Sequence, residues 1–263
     1  MRWHRINALL MRHLYLYKRS VPRLMDIFYW PILELILWGF IGLYLAKNDL
    51  VGFSALTVIL GAIIFWDLLS QSQRVVSVTF LEEVWEKNFL NLFVTPLTKM
   101  EFIVSSFLLG IIRVVFVGFV MGLLALIFYH FNILTFGLYL IPFVLSLLIF
   151  GWTLGLFTTA IILRYGTSAQ VLAFGFILLI QPFSAVFYPV SVLPTALQYL
   201  AYLIPSTHVF EGMRAVISTG SMPWLPFTLS MILNVLYMVL VGLYFNKMFD
   251  WIKRKGLLLK LDQ

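Results

Sequence analysis

"EFIVSSFLLGIIRVVFVGFVMGLLALIFY", residues 101–129, decides the fold class. After Glu101 it carries a single charge, Arg113, in an otherwise apolar run. About 20 mostly apolar residues in a helix cover the hydrocarbon core of a bilayer, so this stretch is long enough to cross one. It is continuous rather than alternating, which excludes the short strands of a membrane barrel. Comparable runs lie at about 24–46, 50–72, 137–163, 169–188 and 225–248. The chain has 263 residues, 62% hydrophobic and 11% charged, more apolar surface than a soluble domain of that length can hide. It therefore reads as all-α: one polytopic helical membrane domain, 1–263, with six predicted transmembrane helices.

The cations orient it. With the N-terminus inside, the inner segments hold six Lys/Arg in 1–23, three in 73–100, Arg164, and five from Lys247 onward, out of 18 in the chain. Lys47 and Arg214 fall outside and Arg113 within a span. This asymmetry predicts a plasma (inner) membrane protein with both termini cytoplasmic. Tyr129, Tyr139 and Trp224 fall near the outer boundary, and Tyr165 and Trp251 near the inner one, as an aromatic belt would. The net charge of +7 thus belongs to cytoplasmic loops, and nucleic acid is not an expected partner.

Other classes find little support. No stretch near the start reads as a cleaved signal peptide. There is no cysteine for a disulfide or thiolate metal site, and His4, His13, His130 and His208 are scattered. Residues 1–22 alternate basic and apolar. Leu9, Leu10, Leu14, Leu16 and Tyr17 can share one face, so an interfacial amphipathic helix is expected, with a solvated basic arm as the alternative.

One insert breaks the apolar pattern: "FLEEVWEKNFLNLFVTPLTKM", residues 80–100. Trp85, Phe89, Leu92, Phe93 and Pro96 recur at i, i+4, i+7, i+8 and i+11, which predicts one amphipathic helix over 84–97. Thr95-Pro96 ends it, because proline disfavours helical geometry in the residue before it. Trp85, Phe89 and Leu92 are expected to face the spans. Such a helix either docks a partner or only seals the base of the bundle.

"LNLFVTPLTKMEFIVSSFL" resembles the coupling-helix region of ABC-2 type transporter permeases, the transmembrane subunits of bacterial ABC exporters. "FYPVSVLPTALQYLAYLIPSTHVFEGMRAVI", residues 187–217, is similar to the family's segment between spans five and six. The resemblance covers essentially the whole chain. It implies a half-transporter: two permease copies form the path, and two separate cytoplasmic ABC ATPase subunits hold ATP and Mg and drive it. It assigns ATPase coupling to Glu82, Glu83, Trp85, Glu86, Phe89, Leu92, Thr95 and Pro96. Leu90 stands where many such permeases have Glu, so the acidic contacts fall to Glu82, Glu83 or Glu86. No lysine here follows a glycine, as a P-loop requires, so the chain is not expected to be an enzyme or to bind a cofactor itself.

Charged residues within spans need partners or water. Glu34 and Arg113 match in depth when counted from the inner ends of their spans. They are expected to pair, either lining a path or fixing packing. Asp67 is expected at the interface, where snorkelling is easier. Residues 190–217 cannot span twice and are expected to form two short re-entrant helices split near Pro205-Ser206, with an ordinary outer loop as the alternative. Glu211 and Arg214 can pair one turn apart. By the resemblance, Pro194, Pro205, Glu211 and Arg214 belong to an outer gate.

The expected function is an ATP-driven exporter of an amphipathic substrate: a lipid, a drug or a lipid-linked glycan, with membrane lipid as a further partner. The alternatives are an ion-driven secondary transporter, which calls for more intramembrane acids, and a membrane-embedded enzyme, which calls for clustered catalytic side chains.

Overall fold

The computed structural model describes residues 1–47 and 53–255. The expected loop at 47–50 and the start of the second span fall largely outside the described residues, as do residues 256–263 of the basic tail. Every regular element among the described residues is helical. The α-helices are α1 (Trp3–Arg19), α2 (Val21–Lys47), α3 (Phe53–Trp85), α4 (Phe89–Val94), α5 (Lys99–Tyr129), α6 (Leu140–Tyr165), α7 (Leu172–Ile180), α8 (Thr195–Tyr202), α9 (Pro205–Thr219) and α10 (Trp224–Arg254).

Five of these segments are long and apolar enough to cross a membrane: α2, α3 from Leu56, α5, Ile133–Tyr165 and α10. The run expected as a fifth span, 169–188, is different. Its apolar helix covers Leu172–Phe183, about 18 Å at helical rise, against roughly 30 Å of hydrocarbon. Pro182 lacks the amide to continue the ladder, and the backbone tightens into a 3₁₀ turn at Gln181–Phe183.

Helix α3 is the axis. Helices α2, α5 and α6 pack around it, while α10 packs mainly on α6 and α9, and α1 on α5 and α2. Of the five long segments α3 is both the least apolar and by far the most buried. Its polar residues, among them Asp67, Ser70, Gln71, Ser72, Gln73 and Ser77, are enclosed by neighbouring helices. A polar helix is stable here because protein, not lipid, surrounds it. Asp67, expected at the interface, is one of these and is 3% exposed.

Close approach makes this enclosure possible. On α6, Gly151 and Gly155 lie one turn apart against α3. A Cβ on Gly151 would sit 2.5 Å from the Ser72 Cβ, and one on Gly155 would sit 2.8 Å from the Gln73 carbonyl oxygen. Small residues four apart let helix backbones approach in this way. Ser72 uses the proximity to donate to the Leu148 carbonyl at 2.8 Å.

The chain also departs from the single helix expected over 84–97. Helix α3 runs unbroken through the acidic run to Trp85, well past the expected limit of 72. Lys87 then adopts a left-handed conformation (φ 52°), which ends that helix. A separate six-residue α4 follows, and Thr95 is extended (ψ 161°) before Pro96, as a residue preceding proline should be.

Candidate functional site

The insert forms one end of the bundle, together with α1. Here a second core joins α1, α3, α5, α6 and α10 through Leu9, Phe80, Val84, Phe102, Leu163 and Ile252. Leu10, Leu14 and Tyr17 pack against it. The apolar face expected to rest on lipid is thus turned onto the bundle.

Charge holds α1 there. Thr98 caps α5 in a capping box with Glu101: Glu101 N donates to Thr98 Oγ1 (3.2 Å), and Thr98 N donates to Glu101 Oε2 (2.9 Å). The remaining oxygen, Glu101 Oε1, accepts from the backbone amide of Arg2 (2.8 Å). Arg5 Nη1 lies 3.6 Å from Glu101 Oε2 and also donates to the Pro96 carbonyl. The N-terminus of α1 is thereby fastened to the Thr95–Thr98 turn.

One helical stretch further on, Arg12 forks onto both oxygens of Glu83, with Nη2 to Oε2 at 3.1 Å, and reaches Glu86 Oε2 at 3.8 Å. A fork of this kind matches the planar carboxylate. Asn88 Nδ2 also donates to Glu83 Oε2 (2.7 Å). Arg23, just inside α2, donates through Nε to Glu82 Oε1 (3.0 Å) and through Nη2 to Glu86. His13 Nε2 lies 3.8 Å from Glu83 Oε1. Burial holds the His13 imidazole down at about 4, from 6.5, against the opposing pull of Glu83.

The acids expected to face a partner are therefore already gripped from within. Glu83 is buried, Glu82 is partly covered, and Glu86 is the exposed member. Trp85 is exposed rather than turned toward the spans, and its Nε1 donates to Gln170 Oε1 (3.0 Å). Leu92 does pack against the core. The side chain of Phe89 lies outside the described residues. Val94, Thr95 and Pro96 are exposed beside Trp85 and Glu86, leaving a mixed apolar and acidic surface.

A second charged group lies deeper. Arg113 does not pair with Glu34; its Nη2 meets Asp26 Oδ2 at 3.4 Å, and its guanidinium sits over Tyr17 (5.9 Å). Glu34 instead interacts electrostatically with Asp67 and Arg74. Arg74 feels Asp26 and Arg113 as well, so five charges from α2, α3 and α5 form one group. Sequence reasoning missed Arg74 and Asp26: the expected second span ends at 72, which leaves Arg74 in the cytoplasmic segment 73–100, and only the unbroken course of α3 brings it into the bundle.

At the opposite end, α8 and α9 break at Leu203-Ile204, and Pro205 opens α9. The split expected near Pro205-Ser206 lies there, and Pro194 caps α8. The expected Glu211–Arg214 pair forms at 3.0 Å. Arg214 also donates to the carbonyls of Ala185 (2.8 Å) and Val186 (3.3 Å), and Glu211 Oε1 accepts from the Val190 amide (2.7 Å). Ala185 is left-handed (φ 51°), a strained conformation for a non-glycine residue. Among the described residues no cluster of three or more His, Cys, Asp or Glu could hold a metal ion.

The sequence profile of the ABC-2 type transporter family matches residues 4–218. No curated protein matches the chain closely enough to name a relative.

Proposed function

Since the chain belongs to the ABC-2 type transporter family, and is thus a multi-pass transport permease, we propose that it is the membrane subunit of an ATP-driven exporter. It works as a pair of identical permeases with two separate ATPase subunits, which carry ATP and Mg at the cytoplasmic face. Both termini lie on that face of the plasma membrane. The cargo is amphipathic: a lipid, a drug or a lipid-linked glycan.

The observation that carries this reading is the surface of Trp85, Glu86, Val94, Thr95 and Pro96. It spans the end of α3, the end of α4 and the turn before α5, at the junction of two membrane-length helices. A push on α4 is delivered to α3 and α5 through the backbone. It also reaches α1 and α2 through Arg5, Arg12 and Arg23. Glu82 and Glu83 transmit the motion as anchors for α1 and α2, while Glu86 and the apolar tip of α4 touch the ATPase. At the far end, Pro194, Pro205, Glu211 and Arg214 form the outer gate, built of two short re-entrant helices.

Co-purification with a cytoplasmic ABC ATPase of the same cell tests the reading. Val94→Asp, on an exposed apolar side chain, should abolish ATPase capture and leave the permease folded. Capture undiminished by V94D and by Glu86→Lys together would remove the docking role. The buried charged group around Arg74 also suits an ion-driven carrier. Transport driven by a proton gradient without nucleotide would favour that second reading.

A further inference from the structure

Arg5, Arg12 and Arg19 recur every seven residues and so form one stripe along α1. The first two are spent on the bundle: Arg5 on Pro96 and Glu101, Arg12 on Glu83 and Glu86. Arg19, and Lys18 beside it, have no acidic partner among the described residues. At this point a shallow, open groove of about 400 Å³ runs along one face of the helix, lined by Arg12, Tyr15, Leu16 and Arg19 and, among the described residues, by no other element. Two guanidinium groups thus bracket a half-exposed tyrosine and a leucine.

The position of the groove fixes its surroundings. Arg19 is the last residue of α1, and α2, which is of membrane length, begins at Val21. The groove therefore lies beside the end of a membrane-length helix, the level at which a bilayer's phosphates are expected. Residues 1–25 contain no Asp or Glu, and the only acids paired with the groove's lining among the described residues are Glu83 and Glu86 at Arg12, so its Arg19 end is the more favourable for an anion. Trp3, Met11 and Tyr15 are exposed on the same helix, and this mixture of apolar, aromatic and cationic side chains suits a membrane interface. Juxtamembrane Lys/Arg beside a spanning helix attract anionic lipid.

The geometry points to a binding site for the phosphate headgroup of an anionic phospholipid in the groove between Arg12 and Arg19. The site deepens the membrane-permease reading by naming a lipid class, and it does not depend on export or on the ATPase. A phosphate bound there shares Arg12 with Glu83, so the tie between α1 and the end of α3 responds to lipid charge.

The test uses the full chain in neutral detergent, titrated with phosphatidylglycerol or phosphatidylethanolamine, with Tm and native mass spectrometry as readouts. Phosphatidylglycerol should raise Tm saturably and remain bound in the gas phase, and phosphatidylethanolamine should not. The double variant Lys18→Gln, Arg19→Gln should weaken that response roughly tenfold or more while leaving Tm in lipid-free detergent unchanged. Equal responses to both lipids, or an unchanged response in the double variant, overturn the site. An equal Tm rise with inorganic phosphate alone overturns it in favour of a free-anion site. Loss of ATPase capture in the double variant, with lipid binding intact, overturns it in favour of a protein contact. Failure of the exporter reading would leave the lipid shifts in place, so the two fail separately.

Discussion

Arg113 Nη2 lies 3.4 Å from Asp26 Oδ2, so the buried arginine of α5 answers to an acid near the start of α2 rather than to Glu34, about two turns further on. Removing the acid leaves a buried guanidinium without its ion-pair partner. Asp26 is 41% exposed, so solvent screens the pair, and the cost falls to roughly 1–2 kcal/mol rather than the full value of an enclosed bridge. Asp26→Asn should therefore lower Tm in detergent, and the further change Arg113→Gln should recover much of the loss. Additive losses in the double-mutant cycle would show that the two side chains do not interact.

Gly151 and Gly155 set the α3–α6 distance. Gly155→Val places branched carbon against Val76 and the Gln73 carbonyl and should cost more than about 2 kcal/mol, as overpacking does when backbone must move. Gly242 on α10 has nothing within 4 Å of an added Cβ. Gly242→Ala should be neutral or stabilising by up to about 1 kcal/mol through helix propensity. Fluorescence-detected size exclusion after a heating series compares the two.

His13 gives the base of the bundle an acid limit. The folded protein holds it neutral down to about pH 4, while the unfolded chain protonates it near 6.5. Below 6.5 the unfolded state takes up a proton that the folded state refuses. The stability present above pH 6.5 is therefore lost as pH falls toward 4. The loss amounts to at most about 3 kcal/mol. His13→Gln should flatten the Tm profile between pH 6.5 and 4, and Glu83→Gln, by removing the neighbour that favours the imidazolium, should extend the loss below pH 4. An identical slope in wild type and H13Q would exclude the histidine as its source.

Arg214 pins the turn at Ala185. Arg214→Gln loses the paired carboxylate of Glu211 and two carbonyl acceptors, at about 1–3 kcal/mol for a charged hydrogen-bonding group. The consequence is local. Amide exchange should accelerate at the backbone around Ala185 and Val190 and stay unchanged in α5. Uniform protection in the variant would show that the strained turn holds itself.

How much of this was legible depended on whether a residue's neighbours lie close in sequence. The all-helical, multi-pass character is legible because lipid imposes the same requirement on every turn, whereas the short 172–183 helix and the extension of α3 to Trp85 depend on packing that composition does not record. Glu211 and Arg214 were found because they are one turn apart. The Glu34–Arg113 pairing failed because counting depth from helix ends assumes that the ends are level. Helix α5 starts beside the N-terminus of α1, where Glu101 meets Arg2, while α2 starts after α1 has ended. The single 84–97 helix failed because period alone cannot detect the left-handed Lys87 that separates α3 from α4. The match of Gly151 and Gly155 to Ser72 and Gln73 is a contact between distant segments, though the GxxxG spacing on α6 was a signal in plain sight.

The enclosure of α3 also bears on how the protein is made. Its polar and charged run is the part of the chain that a bilayer accepts least readily on its own, yet it is synthesised before α5 and α6, which cover it. Residues Ser72 and Gln73 emerge well ahead of Gly151 and Gly155, their eventual neighbours on α6. Stable membrane entry of α3 thus awaits later segments, and truncation before α6 should leave it exposed to quality-control proteolysis even though every earlier helix is intact.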